Sequence, residues 1–417
     1  MKFIKKLVVM IVLTLVCVII IDNFQRVRDE KKISIAQKKE NETAEGNHQE
    51  PDEPGQESNY VTFVALGQNY MNDSVIHSGQ SEGGTSNYDF MFSGLSSYLQ
   101  SADIAALCPG SVIGGNALGV SGYPTFNSPE EVCDAAVAAG IDVVAMANIR
   151  VNSMGSTAIS SCLNIWKSKS DALKVLGIHD SPDDTSIPIM EVNGLKIALL
   201  DYTAVISDAL NDDEVYKVNF FGRYSGGQAD LSVLSEKTLA EIDAANKSSD
   251  FVIVFASWGL DDTHDITATQ QRFAQQLTEA GADLIIGYRP NNLQKVEWIT
   301  AENGNRALCY YSLGNFISSE NTQGALIGGM AKVGIKVENG LTVIDEENTG
   351  LVPIVTQYSY SGTGDEVDVT ATIPFSAYTD EMAASHGITT KYGVAFDRAS
   401  IENIIHSTVD ASFLLEE

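Results

Sequence analysis

Two short loops hold the residues of this sequence whose types and spacing suit chemistry: Ser257-Trp258-Gly259-Leu260-Asp261 and Gly287-Tyr288-Arg289-Pro290-Asn291. Asp261, Asp262, His264 and Asp265 crowd the first, a composition that attracts cations, although a single solvated acidic loop defines no ligand geometry. Arg289 stands in the second, and Arg150 lies in a third loop, Ala147-Asn148-Ile149-Arg150. Planar guanidinium groups grip carboxylate or phosphate through two parallel hydrogen bonds. Each arginine could equally pair with a neighbouring acid such as Asp261. Ser257 has no histidine matched beside it to serve as its base, so serine hydrolysis ranks only third among the readings.

The elements that position these loops follow from the apolar pattern. Phe251–Ala256 is an apolar run rich in Val, Ile and Phe; Phe273, Leu277 and Ala280 recur at helical spacing; Asp283–Ile286 is a second apolar run. This is a βαβ unit, with parallel strands whose carboxyl ends deliver both loops. Upstream, Tyr60–Leu66 reads as a strand leading into Gly67-Gln68-Asn69-Tyr70-Met71-Asn72, and Asp103–Leu107 as a strand leading into Cys108-Pro109-Gly110-Ser111. Ile141–Met146 is the strand before Asn148 and Arg150. Tyr88–Leu99 is expected to be a helix, and Ser128-Pro129-Glu130-Glu131 to start another, with Ser128 as cap and Glu131 closing a capping box. Asn193-Gly194 marks a hairpin. A loop-rich insert covers 201–231, strands continue from Ala331 to about Pro374, and two helices, 377–385 and 399–409, are expected in the tail.

In their order and framing these loops resemble the poly-γ-glutamate capsule biosynthesis (CapA-type) family, whose domain resembles the calcineurin-like metallophosphatases. Trp258, Gly259, Gly287, Pro290, Leu293 and Gln294 stand where the family has them, as do Ala147, Asn148, Gly155 and Tyr311-Ser312-Leu313-Gly314-Asn315-Phe316. The resemblance covers about residues 61–337 and implies a four-layer α/β/β/α sandwich of mixed sheets. It also implies a set of Asp, Glu and His metal ligands, and those positions read Gln68, Gly110, Arg150, Ser257, Tyr288, Arg289 and Asn291. A two-metal site needs converging carboxylates and imidazoles, and cationic side chains repel the ion. The expectation is therefore a non-catalytic member with no metal, no cofactor and no catalytic residue. Its ligand-binding cleft would be built from Gln68, Asn72, Asn148, Arg150, Ser257, Trp258, Asp261, Arg289 and Asn291. The alternative is a hydrolase or transferase of poly-γ-glutamate acting through a site relocated to the 261–265 loop.

The chain has 417 residues, 44% of them hydrophobic, and a formal net charge of −29. Such a charge repels polyanions, which excludes nucleic acid as a partner and leaves an anionic cell-envelope polymer, or other proteins of the capsule machinery, only through a local basic pocket. The basic start MKFIKK precedes an apolar run at 7–21, read as an uncleaved membrane anchor (partner residues 3–21) that leaves the rest of the chain extracytoplasmic. No small-residue cleavage site follows it, and a cleaved signal peptide is the second reading. The expected organisation is a basic end and anchor at 1–25, a polar linker at 26–59, the capsule-family domain at 60–337, and a strand meander with helical tail at 338–417. Cys108, Cys133, Cys162 and Cys309 are compatible with two disulfides or with buried thiols.

Overall fold

The computed structural model describes residues 59–80 and 86–415. The expected anchor and all of the expected linker but its last residue lie outside the described residues, among which no helix is long and apolar enough to cross a membrane.

The strands run in chain order β1 (Tyr60–Asn69), β2 (Ile104–Pro109), β3 (Val143–Ala145), β4 (Lys174–Leu176), β5 (Ile189–Val192), β6 (Leu195–Thr203), β7 (Tyr224–Ser225) and β8 (Gln228–Ala229). They continue with β9 (Phe251–Ser257), β10 (Leu284–Tyr288), β11 (Val296–Thr300), β12 (Arg306–Tyr310), β13 (Asn315–Ile317), β14 (Ile327–Glu338), β15 (Leu341–Ser359) and β16 (Asp368–Pro374). One sheet has the order β16-β15-β14-β1-β2-β3-β4, with β13 pairing on β1; a second has the order β11-β12-β10-β9-β6-β5. Strands β1 to β4 are parallel, as are β6, β9, β10 and β12, while β14, β15, β16, β5 and β11 join antiparallel. Both sheets are therefore mixed.

Alternation along β9 shows the layering. Phe251, Ile253 and Phe255 face the first sheet in the main core, where the Phe63 and Phe255 rings meet edge to face at 6.3 Å. Val252, Val254 and Ala256 point the other way and pack with Ile242, Phe273 and Leu277 of the helices Glu236–Ser248 and Ala268–Ala280. On the far side of the first sheet, helices Glu131–Ala139 and Ser156–Lys169 bring Val132, Ile159 and Trp166 to the core. The result is helix, sheet, sheet, helix. Strands buried on both faces read as continuous apolar runs, which is how β1, β9 and β10 appear in sequence.

Local signals account for several boundaries. Asn193 (φ 51°) and Gly194 (φ 77°) are both left-handed and turn β5 into β6, as a two-residue hairpin requires. Thr267 and Gln270 form a reciprocal capping box at the start of the helix that follows β9. The box expected at Ser128 is absent: the Ser128 hydroxyl instead hydrogen-bonds that of Ser111, and the helix begins at Glu131. The helix expected over 88–99 is broken into Phe90–Ser93 and Ser96–Ser101, and at the break Gly94 packs so tightly on the Thr372 carbonyl that no side chain fits there. The tail carries helices Asp380–Ser385 and Arg398–Thr408 near the expected places, and one more, Gly387–Tyr392. Residues beyond 338 continue the first sheet through β15 and β16. Cys108, Cys133, Cys162 and Cys309 are all buried free thiols.

Candidate functional site

Because the central strands of each sheet are parallel, their carboxyl ends open on one side, and hydrogen bonds between the sheets tie those ends together. Gln68, near the end of β1, donates from Nε2 to Asn291 Oδ1 (3.1 Å), in the loop after β10, and to Asn315 Oδ1 (3.4 Å). Asn291 Nδ2 donates onward to Asp262 Oδ1 at 2.8 Å. Tyr288 ends β10 fully buried, its hydroxyl 3.0 Å from the Ala147 carbonyl and 2.9 Å from Asp201 Oδ1. Asp201 Oδ2 accepts from the Ala147 amide at 2.7 Å. Burial pushes the Asp201 carboxyl up to about 7, against the pull of those two donors.

Several residues expected to line a cleft are instead sealed inside. Trp258 is wholly buried, stacked on Phe221 and Tyr311, and its Nε1 donates to the Tyr311 carbonyl at 2.8 Å. Ser257 is also inaccessible; its hydroxyl neighbours the Tyr288 phenol but makes no hydrogen bond of sound geometry. Asn148 uses its side chain on the Met146 carbonyl and the Arg150 amide, which fixes the turn after β3. Gln68 and Asn291 belong to the amide network and are almost free of solvent contact. These five therefore shape the loops, and the solvent-reachable members are Asn72, Arg150, Asp261 and Arg289. Gly287 completes the seal, since a Cβ there would be driven into the Tyr311 carbonyl and lie 2.7 Å from Trp258 Nε1. Gly287→Ala is expected to cost about 1–3 kcal/mol through overpacking. An unchanged midpoint in urea unfolding would contradict that tightness.

The two arginines differ in what they touch. Arg289, held at φ 98°, donates to the Gly259 carbonyl and sits with Nε 3.6 Å from Asp261 Oδ1, an ion-pair distance beyond hydrogen-bond reach. Arg150 lies over the rings of Phe126 (4.4 Å) and Tyr70 (4.8 Å). The only hydrogen bonds of its guanidinium among the described residues are long ones, 3.4 Å each, to the Gly110 carbonyl and the Tyr70 hydroxyl, and no described carboxylate lies within ion-pair distance. Tyr123, 76% exposed, packs edge-on to Phe126 at the rim. Glu320 is reached through Asn72, whose Nδ2 donates to its Oε1 at 3.4 Å, and burial raises the Glu320 pKa.

Tyr70, Phe126, Asp201 and Glu320 were not singled out by sequence reasoning. Asp201 carried a signal, a carboxyl near the end of an apolar strand; Glu320 stands four residues after the Tyr311–Phe316 frame.

The metallophosphatase resemblance implies divalent cations here, and the donor set does not fit them. The matching positions supply amide, phenol, hydroxyl and guanidinium groups, and among the described residues no three His, Cys, Asp or Glu side chains are placed to hold a metal ion. A cavity of about 240 Å³ lies elsewhere, where β4 and β6 meet, lined in part by His179, Asp184, Asn219 and Glu241.

Two mixed sheets with helices on both outer faces, and loops from both sheets laced together at their parallel strand ends, define an α/β sandwich with a strand-end site. The chain belongs to the bacterial capsule synthesis protein family PGA_cap, whose model matches residues 62–320. It is 24% identical over 225 residues to the capsule biosynthesis protein CapA of Bacillus anthracis, covering 53% of this chain and 50% of that protein. It is 29% identical over 147 residues to the PGA biosynthesis protein CapA of Bacillus subtilis, covering 35% and 34% respectively. The chain thus spans half or less of the length of these curated relatives. Among solved structures it is similar to the calcineurin-like phosphoesterase YfkN of Bacillus subtilis, with a TM-score of 0.36 and 11% identity over 84% of this chain and 96% of that one. TT1561 of Thermus thermophilus gives a TM-score of 0.34 and 10% identity over 65% and 93%. Likeness at that level carries no argument about the site.

Proposed function

We propose that this chain is a membrane-anchored, extracytoplasmic member of the capsule family that binds an anionic envelope polymer of the poly-γ-glutamate type without converting it. The single observation that carries this reading is Arg150, a half-buried guanidinium packed against two adjoining aromatic rings with no carboxylate partner among the described residues. The rings fix the side chain, so less freedom is lost when its remaining N–H groups take a ligand carboxylate. Capsule polymer enters through the family and through the names of its relatives, and the membrane through the sequence at 3–21. The chain's net charge of −29 repels such a polymer at long range, so binding has to be local. The relocated-site alternative is disfavoured because three of the four groups of the 261–265 loop are engaged: Asp261 with Arg289, Asp262 with Asn291, and His264 Nδ1 with the Leu293 carbonyl at 2.7 Å.

The test is equilibrium titration of the full-length protein with poly-γ-glutamate, with an uncharged polymer as control. Losing a hydrogen-bonded charge contact is worth about 1.5–3 kcal/mol, so Arg150→Ala is expected to weaken binding about tenfold or more. Absence of binding, or binding indifferent to Arg150, would sink the reading. So would a stoichiometric divalent ion accompanied by hydrolysis of the polymer.

A further inference from the structure

Arg150 and Glu320 hang from opposite ends of the same three residues, Tyr70-Met71-Asn72. The Tyr70 hydroxyl meets Arg150 NH2, and Asn72 Nδ2 meets Glu320 Oε1, each at 3.4 Å. The tripeptide is braced by backbone hydrogen bonds from the Asn72 amide to the Tyr70 carbonyl and from the Tyr70 amide to the Ile317 carbonyl, both 2.9 Å, and by the Ser319 hydroxyl on Asn72 Oδ1 at 2.6 Å. A guanidinium and a carboxylate are thus each hydrogen-bonded to a side chain of the same tight turn. They sense each other electrostatically yet form no ion pair, and neither has another ion-pair partner among the described residues. Asp262 lies near enough to raise the cost of charge on Glu320, which adds a second negative group on that side.

Opposite charges on long side chains in one site ordinarily close on each other. Here the rings of Tyr70 and Phe126 retain Arg150, and Asn72 and Ser319 retain the Glu320 side, so the two charges are left unpaired with each other. Resting on the anion-binding reading of Arg150, we propose that the site recognises a zwitterionic α-amino acid end, such as the free amino terminus of a γ-linked glutamate chain, with its carboxylate on Arg150 and its ammonium on Glu320. An internal unit of such a chain carries the carboxylate but has its nitrogen in an amide, so it satisfies only half of the site. The site therefore distinguishes polymer ends from polymer interiors. Free glutamate has the same two groups, and the ligand set below separates the two sources.

The experiment is calorimetric titration of the full-length protein with tri-γ-glutamate, with its N-acetylated form and with free glutamate, repeated for Glu320→Gln and Arg150→Ala, with thermal unfolding as a check on folding. A charge-assisted contact is removed by acetylation, so the free-ended trimer is expected to bind about tenfold more tightly than the acetylated one. Glu320→Gln is expected to bring that ratio to about one, while Arg150→Ala weakens binding of both about tenfold or more. Free glutamate binding as tightly as the trimer would support the zwitterion site and make the amino acid itself the ligand; much weaker glutamate binding would support it with the chain end as ligand. Equal affinity for both trimers in the wild-type protein, with loss in Arg150→Ala, would overturn this proposal and leave the anion reading standing. No binding of any ligand would overturn both.

Discussion

Trp258→Ala is expected to lower the unfolding free energy by about 3–5 kcal/mol, the range for truncating a large buried aromatic side chain. The indole has no solvent contact and stacks on Tyr311 (6.0 Å) and Phe221 (5.8 Å), and Phe221 in turn packs on Phe273 at 5.3 Å. Removing it opens a void under the loop that carries Asp261 and leaves the Tyr311 carbonyl without its donor. Trp258→Phe separates the two contributions. It retains most of the stacking and loses the Nε1 hydrogen bond, and is expected to cost about 1–3 kcal/mol. Urea denaturation of the three proteins measures this directly. An alanine variant within 1 kcal/mol of the wild type would mean that the loop, not the aromatic stack, sets the local stability.

That a tryptophan on a functional-looking loop is structural illustrates which parts of this molecule could be read from its sequence. The βαβ unit, the Asn193-Gly194 hairpin and the capping of the helix after β9 are local, since each depends on residues a few positions apart whose periodicity or turn chemistry is visible in the chain. Family frames located the strand ends correctly in order. Burial is not local. Trp258, Ser257 and Gln68 stand on the same loops as Asp261 and Asn291, and only the packing of one sheet on the other decides which side chains are sealed. The same holds for the two arginines: sequence left Arg150 and Arg289 equivalent, whereas Arg289 reaches Asp261 and Arg150 reaches only rings, a carbonyl and a phenol. The capping box at Ser128 failed for a related reason. Its partner Ser111 is set by tertiary approach, and that overrode a reasonable helix start.

Asp201 is the case where buried chemistry has the largest measurable consequence. The carboxyl is 1% exposed, and burial raises its pKa to about 7 from the ordinary 3.8. Between those values the native state holds a proton that the unfolded chain has released, so unfolding stability falls as pH rises. The Asp201 contribution is fully present below pH 3.8 and is lost as pH passes through about 7. Converted at 1.36 kcal/mol per unit, the change is on the order of 4 kcal/mol. The neighbouring Cys108 thiol and Tyr202 and Tyr288 phenols are all driven upward by burial, so none of them changes charge in that window. Other groups across the domain also titrate there, and the difference between two proteins cancels them. Asp201→Asn can keep the network closed: its oxygen accepts from the Ala147 amide, its NH₂ donates to the Tyr288 oxygen, and the Tyr288 hydroxyl turns to the Ala147 carbonyl, already 3.0 Å away. Relative to wild type, the variant is expected to gain stability from pH 4 to about pH 7, by several kcal/mol in all, and to level off above that, in paired urea titrations. A difference that stays constant with pH would mean that Asp201 is ionised throughout, held so by its two donors, and that the strand ends of the two sheets are joined around a buried negative charge.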